Sequence, residues 1–509
     1  MILKNFKNNV MKNISKKIIV AISSLTFVGY ACNEKNIDLE PLSITEAAYF
    51  KEEIDFDRSV LAIYAKLTDF YWFNANNPIH GFWQLPGDDI TTTGTEAFEI
   101  FGTLQPADGK VSGYYRTAYQ LINRANTTLQ KIEEDKTVYK TPNLKNYHKG
   151  EALFLRGMMY FNLANFFGTS PLVTKRIQST EEITQPNAAD GALMEQAIKD
   201  FQDASALLPA AWDNANKGRA TANAANGFLG KALVFRGSIK KQDADYTTAL
   251  TAFNKITGVS LLPDFGGNFD TKNENNAESL FEFQATQPAG GDNVWLSNDF
   301  DNNIGSTSTY WGYYENHWSL FGAAPYVGTK KLLAAFDPKD PRLPLTMDAK
   351  TRAITKYVLK DQKTQSGPGS LNNPRLLRFA DILLLRAEAT LLSGGSTADA
   401  IGLVNQLRTR ARNMVVSGTV PANYATTQTD KTVIMNWIAN ERFIELAGEE
   451  GARWFDLRRW HLNGRINLAT WDFSSDRSDI NISLPKHLFY PIPLSEVDLN
   501  PNVKQNAGY

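Results

Sequence analysis

The segment 440–460 constrains the fold most, because it combines charges and large aromatic side chains at a density that few exposed helices have. It reads NERFIELAGEEGARWFDLRRW, which indicates two helical pieces separated by a break near Gly448 and Gly451. In the first piece, Glu441 and Glu445 are four residues apart and therefore share one helix face. Like charges at this spacing repel each other, so we expect cationic side chains from elsewhere to pair with both.

The second piece of this segment repeats the combination of charge and aromatic rings. Trp454, Leu457 and Trp460 recur at intervals of three, and arginines lie on both sides of Asp456. We predict a partly buried helical corner in which arginines pair with carboxylates and pack their aliphatic stems on indole rings. Ion-pair networks resemble active sites in composition, but we interpret this one as structural.

Helical periodicity extends over most of the chain and predicts an all-α fold. The longest predicted helix, 145–167, carries apolar residues on two faces, which is typical of a helix buried between neighbours. A capping box at 43–46 introduces the first helix. Segment 246–256 resembles the second helix of a tetratricopeptide pair, and only 279–284 is predicted as a strand. The other predicted helices are 47–67, 113–132, 190–208, 221–238, 330–336, 374–393, 398–412 and 431–447.

Two long regions interrupt the helical pattern, near 69–109 and near 262–325. Both are rich in glycine, asparagine, aspartate and threonine, and both contain tryptophans. Loop-rich stretches of this length are usually functional or mobile. The proline-containing tail 484–509 is predicted to be extended.

The N-terminal residues have the pattern of an export signal. Lysines precede the apolar run 18–28, and the only cysteine of the chain, Cys32, follows a small residue. This arrangement resembles the lipobox of bacterial lipoproteins, although Gly29 and Tyr30 depart from the usual pattern, so simple secretion is the alternative. We predict a signal peptide at 1–31, with Met1 or Met11 as the start, a lipidated Cys32 with a tether at 32–42, and a folded body at 43–509.

The composition argues against several functional classes. A net charge of −1 gives no general affinity for nucleic acid, and a single cysteine permits no internal disulfide. The sequence has no phosphate loop, no Gly-x-Ser-x-Gly and no His-Glu-x-x-His, and its five histidines are scattered. We therefore expect no metal and no cofactor. The adjacent carboxylates Asp88 and Asp89 leave a glycosidase open, although a turn with a hydrogen-bonding acid is the simpler interpretation.

The remaining chemistry is that of aromatic rings clustered with amides, hydroxyls and acids in the two loop-rich regions. A pyranose ring offers an apolar face to a flat side chain and hydroxyls to asparagine, aspartate and threonine. The pattern therefore favours carbohydrate as the ligand, with packing inside the loops as the alternative for each ring.

Several segments resemble the SusD/RagB family of outer-membrane nutrient-binding lipoproteins. They occur in the family's order and span nearly all of the chain after Cys32. The matching segments are the long helix and its Gly-x-x-Pro exit at 151–172, DPRL at 340–343, RFADILLLRAEA at 378–389, the charged segment 440–460, YPIP at 490–493 and QNAGY at 505–509.

This resemblance implies a scaffold of four tetratricopeptide-like helical pairs with a loop-rich ligand face. It also implies a protein without catalytic activity that is lipid-anchored at the outer membrane, binds a glycan at the cell surface and passes it to a SusC-like TonB-dependent transporter. An oligopeptide-binding member of the family and, from another class, a secreted glycoside hydrolase are the alternatives. The ligand-binding residues expected from the two insertions are Trp83, Asp89, Thr92, Phe98, Tyr310, Trp311, Tyr313, Tyr314 and Trp318.

Overall fold

The computed structural model describes residues 49–72, 79–286, 308–314, 324–361, 369–450, 452–473 and 476–509. Residues 56–509 form one compact unit. Of the residues before it, only 49–55 are described. The predicted signal peptide, Cys32 and the capping box lie outside the described residues. Within the described ranges, no helix combines the length and hydropathy needed to cross a membrane.

Helices dominate the fold, which confirms the all-α prediction. Short 3₁₀ turns at Thr180–Glu182, Asn214–Asn216, Phe265–Phe269, Tyr310–Tyr314, Leu468–Thr470 and Lys486–Leu488 link them. The helices are α1 Glu53–Ala65, α2 Thr68–Tyr71, α3 Gly81–Gln84, α4 Ala97–Ile100, α5 Gly109–Glu134, α6 Leu144–Phe167, α7 Ala192–Leu207, α8 Ala222–Lys240, α9 Asp243–Phe253, α10 Lys330–Ala335, α11 Leu343–Thr346, α12 Phe379–Leu392, α13 Thr397–Asn413, α14 Lys431–Glu445, α15 Ala452–Leu462 and α16 Leu494–Leu499.

The long helices pack side by side in chain order. Helix α6 lies between α5 and α7, and α8 contacts α7 and α9. Helix α9 also contacts α12, which in turn packs on α13 and α14. Helix α6 is buried on several faces, as its two apolar stripes predict. Each helix therefore covers the apolar face of its neighbours. One core cluster runs from α5 through α9 to one side of α12, and a second lies between α12, α13 and α14.

Among the described residues, four short strands form two antiparallel pairs. Strand β1 (Ile90–Thr92) pairs with β3 (Tyr326–Gly328), and β2 (Ser279–Glu282) pairs with β4 (Arg375–Arg378). The prediction of one helix over 374–393 is wrong at its start, because β4 occupies that part. The short segment Arg-Leu-Leu-Arg suits either a strand or the start of a helix, and pairing with the distant β2 decides between them.

Short helices also occur where the sequence indicated irregular chain. The region 69–109 contains α3, α4 and β1, and the tail contains α16. Pieces of three to six residues are too short to show a periodicity, so the sequence pattern gave no signal for them.

The charged segment 440–460 confirms the expected pairing of its acids. The Arg342 guanidinium donates to Glu441 at 2.6 Å and to Glu445 at 2.8 Å. Glu445 also accepts from Arg378 at 2.9 Å and from Arg410. Burial alone would raise the pKa of Glu445, but Arg410, Arg378 and Arg342 hold it well below its usual range. One buried carboxylate is thus shared by three arginines.

A second buried group of charges joins α12, α14 and α15. Arg442 donates to Asp456 at 2.6 Å and to Asp381 at 2.7 Å, and Arg459 donates to Asp456 and to Glu388. These contacts are the arginine–carboxylate pairs expected for the helical corner. The tryptophans 454 and 460 of the same corner are each 1% exposed.

Arg458 differs from its neighbours because no carboxylate contacts it among the described residues. It donates to the Asn165 side chain, and its guanidinium lies 5.0 Å from the Phe489 ring. Burial lowers the pKa of Arg458 to about 9. This cation is stabilised by an amide and a ring rather than by an opposite charge.

We predict that Glu445→Ala lowers the free energy of unfolding by about 3–5 kcal/mol, because three buried arginines lose their shared partner. Urea denaturation measures the change. Lys199→Ala is the control, since it breaks an exposed pair with Asp203 (side chains 67% and 42% exposed) and is expected to cost at most about 1 kcal/mol. Equal unfolding midpoints for the two variants would contradict a structural role for the Glu445 contacts.

Candidate functional site

The two loop-rich regions meet each other in the structure. Strand β1 of the first pairs with β3, which follows the second, so that Ile90 lies opposite Gly328 and Thr92 opposite Tyr326. We call the place where the two regions meet the loop junction. The Thr329 side chain adds a contact there by donating to the Asp88 carbonyl at 2.7 Å. Segments more than 200 residues apart in sequence therefore form one region of the structure.

Backbone bridges bring three further chain segments to the same place. Trp72 pairs with Thr309, and Thr309 pairs with Ser370 through N–H to carbonyl bonds of 2.8 and 3.2 Å. These residues lie within two positions of segments 73–78, 287–307 and 362–368, which are outside the described residues. The Trp311 indole is fixed nearby by a 3.0 Å bond to the Asn372 carbonyl.

Rings from these segments pack into a group that we call the aromatic cluster. His80 stacks on Tyr310 at 4.6 Å between ring centroids, and Trp83 meets Tyr310 edge-on at 6.0 Å. Trp311 stacks on Tyr357 at 3.6 Å. The members of the cluster are His80, Trp83, Tyr310, Trp311, Tyr313, Tyr314, Tyr326 and Tyr357.

Five of the predicted ligand-binding residues belong to the aromatic cluster. The structure brings Trp83 together with the Tyr310–Tyr314 turn, as their assignment to one ligand face requires. Their exposure differs from the expectation: none of the five is more than 4% exposed, because the rings cover one another. The faces expected to meet a sugar are occupied by neighbouring rings in this structure, and ligand binding by these residues stays a prediction.

The other predicted residues have different surroundings. Phe98 lies in the core, 5.2 Å from the Phe82 ring and 5.3 Å from the Tyr490 ring. Thr92 donates to the Pro325 carbonyl at 2.9 Å. The Asp89 carboxylate accepts the Gly448 N–H at 3.0 Å, and burial raises its pKa to about 6. These three side chains support the region from inside, and Trp318 lies outside the described residues.

Asp88 is held by a separate set of partners. Its carboxylate accepts from Arg453, from Lys331 at 2.7 Å and from the Trp471 indole at 3.1 Å. Burial alone would raise its pKa, but Arg453 and Lys331 lower it below the usual range. Asp88 is therefore a buried partner of two cations, and Asp89 faces a backbone amide.

Sequence reasoning missed Glu450 as a member of this region. The Tyr310 hydroxyl donates to its carboxylate, which lines an internal cavity of about 40 Å³ together with Trp83, Asn162 and Lys231. Burial raises the pKa of Glu450 to about 8, and the nearby Glu449 adds to the shift while Lys231 opposes it. It lies in the charged segment 440–460, where no local pattern separates it from the structural acids.

His80, Tyr326 and Tyr357 were also missed. Burial lowers the pKa of His80 well below its usual range, so its ring is neutral. The only sequence signal for Tyr326 is its place at the end of the second loop-rich region. Tyr357 gave no signal, because its packing on Trp311 depends on a contact between segments far apart in the sequence.

Four polar atoms of the aromatic cluster are buried without a hydrogen-bond partner in the described part of the chain. They are His80 Nε2, Trp83 Nε1 and the hydroxyls of Tyr314 and Tyr326. Such atoms are rare in folded proteins because each costs free energy unless it is hydrogen-bonded. Atoms of this kind also occur elsewhere in the described chain, for instance on Arg442, Arg458 and Trp460 of the charged corner. The four in the cluster are buried, so they can bond an incoming polar molecule only when the surrounding rings separate. No group of three His, Cys, Asp or Glu side chains that could hold a metal ion occurs among the described residues.

The helical series and the aromatic cluster where its two loop-rich regions meet define a helical scaffold protein that carries a loop-built aromatic region. The chain belongs to the SusD family: the model described as "SusD family" matches residues 236–509. A second model, described as "Starch-binding associating with outer membrane", matches residues 64–233.

Individual proteins agree with this membership. SusD-like protein P2 of Formosa agariphila is 24% identical over 97% of this chain and 99% of its own. A SusD homologue from Bacteroides thetaiotaomicron has a TM-score of 0.75 at 21% identity and covers 91% of this chain and 99% of its own. A laminarin-binding SusD-like protein has a TM-score of 0.71 at 23% identity, over 90% of this chain and 100% of its own. At these identities the structural matches establish the fold.

We predict that Glu450→Gln stabilises the protein increasingly as pH rises from 5 to 8. In this window the unfolded chain releases the Glu450 proton while the folded protein retains it, so the wild type loses stability as pH rises. The variant lacks the ionisable group, and its advantage should grow by roughly 2–4 kcal/mol. Urea denaturation at pH 5 and pH 8 measures this, with Glu133→Gln on the exposed face of α5 as the control. An advantage that does not change with pH would contradict a neutral buried Glu450.

Proposed function

We propose that this protein binds an oligosaccharide at the surface above the aromatic cluster, the ligand face, and passes it to a SusC-like TonB-dependent transporter. The observation that carries the proposal is the aromatic cluster itself, with its four unpartnered polar atoms, in a chain of the SusD family. The description of the model that matches residues 64–233 and the laminarin binding of a structural neighbour favour carbohydrate as the ligand class.

The chemistry of the cluster suits a sugar. Indole and phenol rings bind the apolar face of a pyranose, and Trp83 Nε1 and the hydroxyls of Tyr314 and Tyr326 are groups that sugar hydroxyls match. Because the rings now cover one another, binding requires that some of them separate. The free energy of the unpartnered polar atoms favours such a rearrangement when a ligand supplies their hydrogen bonds.

We propose binding without cleavage. A glycosidase needs two carboxyl groups facing each other across the scissile bond, one of them ready to donate a proton. Asp88 is instead paired with two cations and is 0% exposed, and Asp89 accepts a backbone amide. Both carboxylates are thus used in holding the loop junction together.

The proposed location is the outer membrane, with lipid on Cys32 as the anchor. The description "associating with outer membrane" supports the location, and the cysteine at the end of the export signal supports the anchor. Mass spectrometry of the mature N-terminal peptide tests the anchor, since an unmodified peptide that begins elsewhere would contradict it.

The experiment for the function is affinity electrophoresis of the purified protein in gels that contain starch, laminarin or other polysaccharides, followed by calorimetry with the matching oligosaccharides. We expect retardation by at least one polysaccharide and no release of shorter products. Binding of peptides without any glycan would favour an oligopeptide carrier, and product release would favour a hydrolase.

We predict that Tyr314→Phe weakens binding of the retained glycan roughly threefold to tenfold without loss of stability. The substitution removes a buried hydroxyl that has no partner in the described structure, so the fold loses no hydrogen bond there, whereas the bound sugar loses one. Calorimetry measures the affinity and thermal unfolding the stability. Tyr490→Phe is the matched control, because its hydroxyl donates to the Phe82 carbonyl at 2.7 Å: it should lower stability and leave affinity unchanged. Unchanged affinity in Tyr314→Phe would remove this hydroxyl from the site.

A further inference from the structure

A half-buried tryptophan outside the aromatic cluster lines a cleft between two scaffold segments. The Trp212 indole donates to the Ala220 carbonyl at 2.8 Å, and the Arg219 guanidinium lies over its ring at 4.6 Å. The Tyr147 ring meets its edge at 5.5 Å. The indole is therefore held in one orientation by three different contacts.

The arginine over this ring is itself fixed. Arg219 donates twice to Glu151, both at 2.7 Å, and to Asp57 at 2.7 Å. Burial alone would lower the pKa of Arg219, but Glu151 and Asp57 raise it above the usual value. Because the guanidinium and the indole are already ordered, a ligand that contacts this ring pays little side-chain entropy on binding.

The cleft has a volume of about 290 Å³ and two stable walls. One wall is the segment 210–219 with Trp212, and the other is the segment 275–281 that enters β2. Reciprocal amide bonds hold the edges: Asn223 bonds both the N–H and the carbonyl of Thr257, and Asn275 and Gln284 bond each other at 2.8 and 3.1 Å.

The lining combines a flat ring with polar groups that reach solvent. Asn214 and Lys217 are exposed, and Asn276 is partly exposed. An amide offers two N–H donors and a carbonyl with two lone pairs, so even an amide that holds the backbone keeps capacity for a hydroxyl. None of the lining residues belongs to the aromatic cluster.

We propose that the Trp212 cleft is a second oligosaccharide-binding site, which takes one or two pyranose residues against the indole and the amides. The choice of ligand class rests on the proposed function, whereas the site itself rests on the fixed indole and the cleft. A weak second site on the same chain increases the retention of a long polysaccharide by raising the local concentration of the other site's ligand.

The test is the stoichiometry of maltoheptaose and laminarihexaose on the full mature chain, measured by calorimetry and native mass spectrometry. Trp212→Ala removes the ring. Ala277→Leu is a second cleft variant: it narrows the cleft by adding a side chain at an exposed position and removes no packed group. It therefore tests the site even if Trp212→Ala folds poorly. Trp437→Ala is the control, because that partly exposed tryptophan stacks on Tyr424 and does not line the cleft.

The expected result is two oligosaccharides per chain for the wild type and Trp437→Ala, and one for each cleft variant. Affinity electrophoresis should show a severalfold loss of retardation by the polymer in the cleft variants only. One oligosaccharide per chain in the wild type, unchanged in the cleft variants, would overturn the second site and leave the proposed function standing. Binding of neither sugar nor any polysaccharide by the wild type would overturn both.

Discussion

The buried contact between Glu445 and the arginines 342, 378 and 410 is the interaction on which most of the structure depends. It joins the end of α14 to α13, to the turn before α11 and to strand β4. Strand β4 follows directly on the segment that carries Ser370 and Asn372, and these two residues hold Thr309 and Trp311. The position of the aromatic cluster therefore traces back, contact by contact, to one carboxylate in the helical scaffold.

Burying charges in this way has a cost, because each must leave water. The guanidinium group suits the task, since its planar fork of donors bonds several carboxylates at once: Arg342 Nε and Nη2 donate to Asp340, and Nη1 donates to Glu441 and Glu445. Such networks contribute specificity of packing more reliably than net stability. Here they join α12, α13, α14 and α15 to one another through buried ion pairs.

The scaffold could be predicted from the sequence because its signals are local. The periodicity over 145–167 agrees within a residue with Leu144–Phe167, and the glycine break predicted at Gly448 coincides with a positive φ of 70°. Strand β4 could not be predicted, because the four-residue segment Arg-Leu-Leu-Arg acquires its conformation from β2, almost one hundred residues away.

The meeting of the two loop-rich regions was predictable from the sequence, but the contacts within it were not. Two regions rich in aromatics indicated one ligand face, and the ladder between β1 and β3 joins them. Burial of Trp83 under Tyr310, and the hydrogen bond from Tyr310 to Glu450, depend on contacts between segments far apart in the chain. The sequence shows which aromatic rings and acids the regions contain. Which rings cover each other, and which acid is neutral, depends on the tertiary packing.

The helices α14 and α15 of the charged corner belong to the scaffold, whereas the ligand is proposed to bind above the aromatic cluster. Hydrogen–deuterium exchange, measured with and without a saturating oligosaccharide that the protein retains, separates the two roles. We expect slower exchange in peptides that cover 79–92, 308–314 and 324–328, and no change in 431–445 and 452–462; the turn between them carries Gly448 and Glu450, which contact the site, and is left out of the comparison. Protection confined to 431–445 and 452–462, with 79–92, 308–314 and 324–328 unchanged, would show that the ligand binds the helices instead.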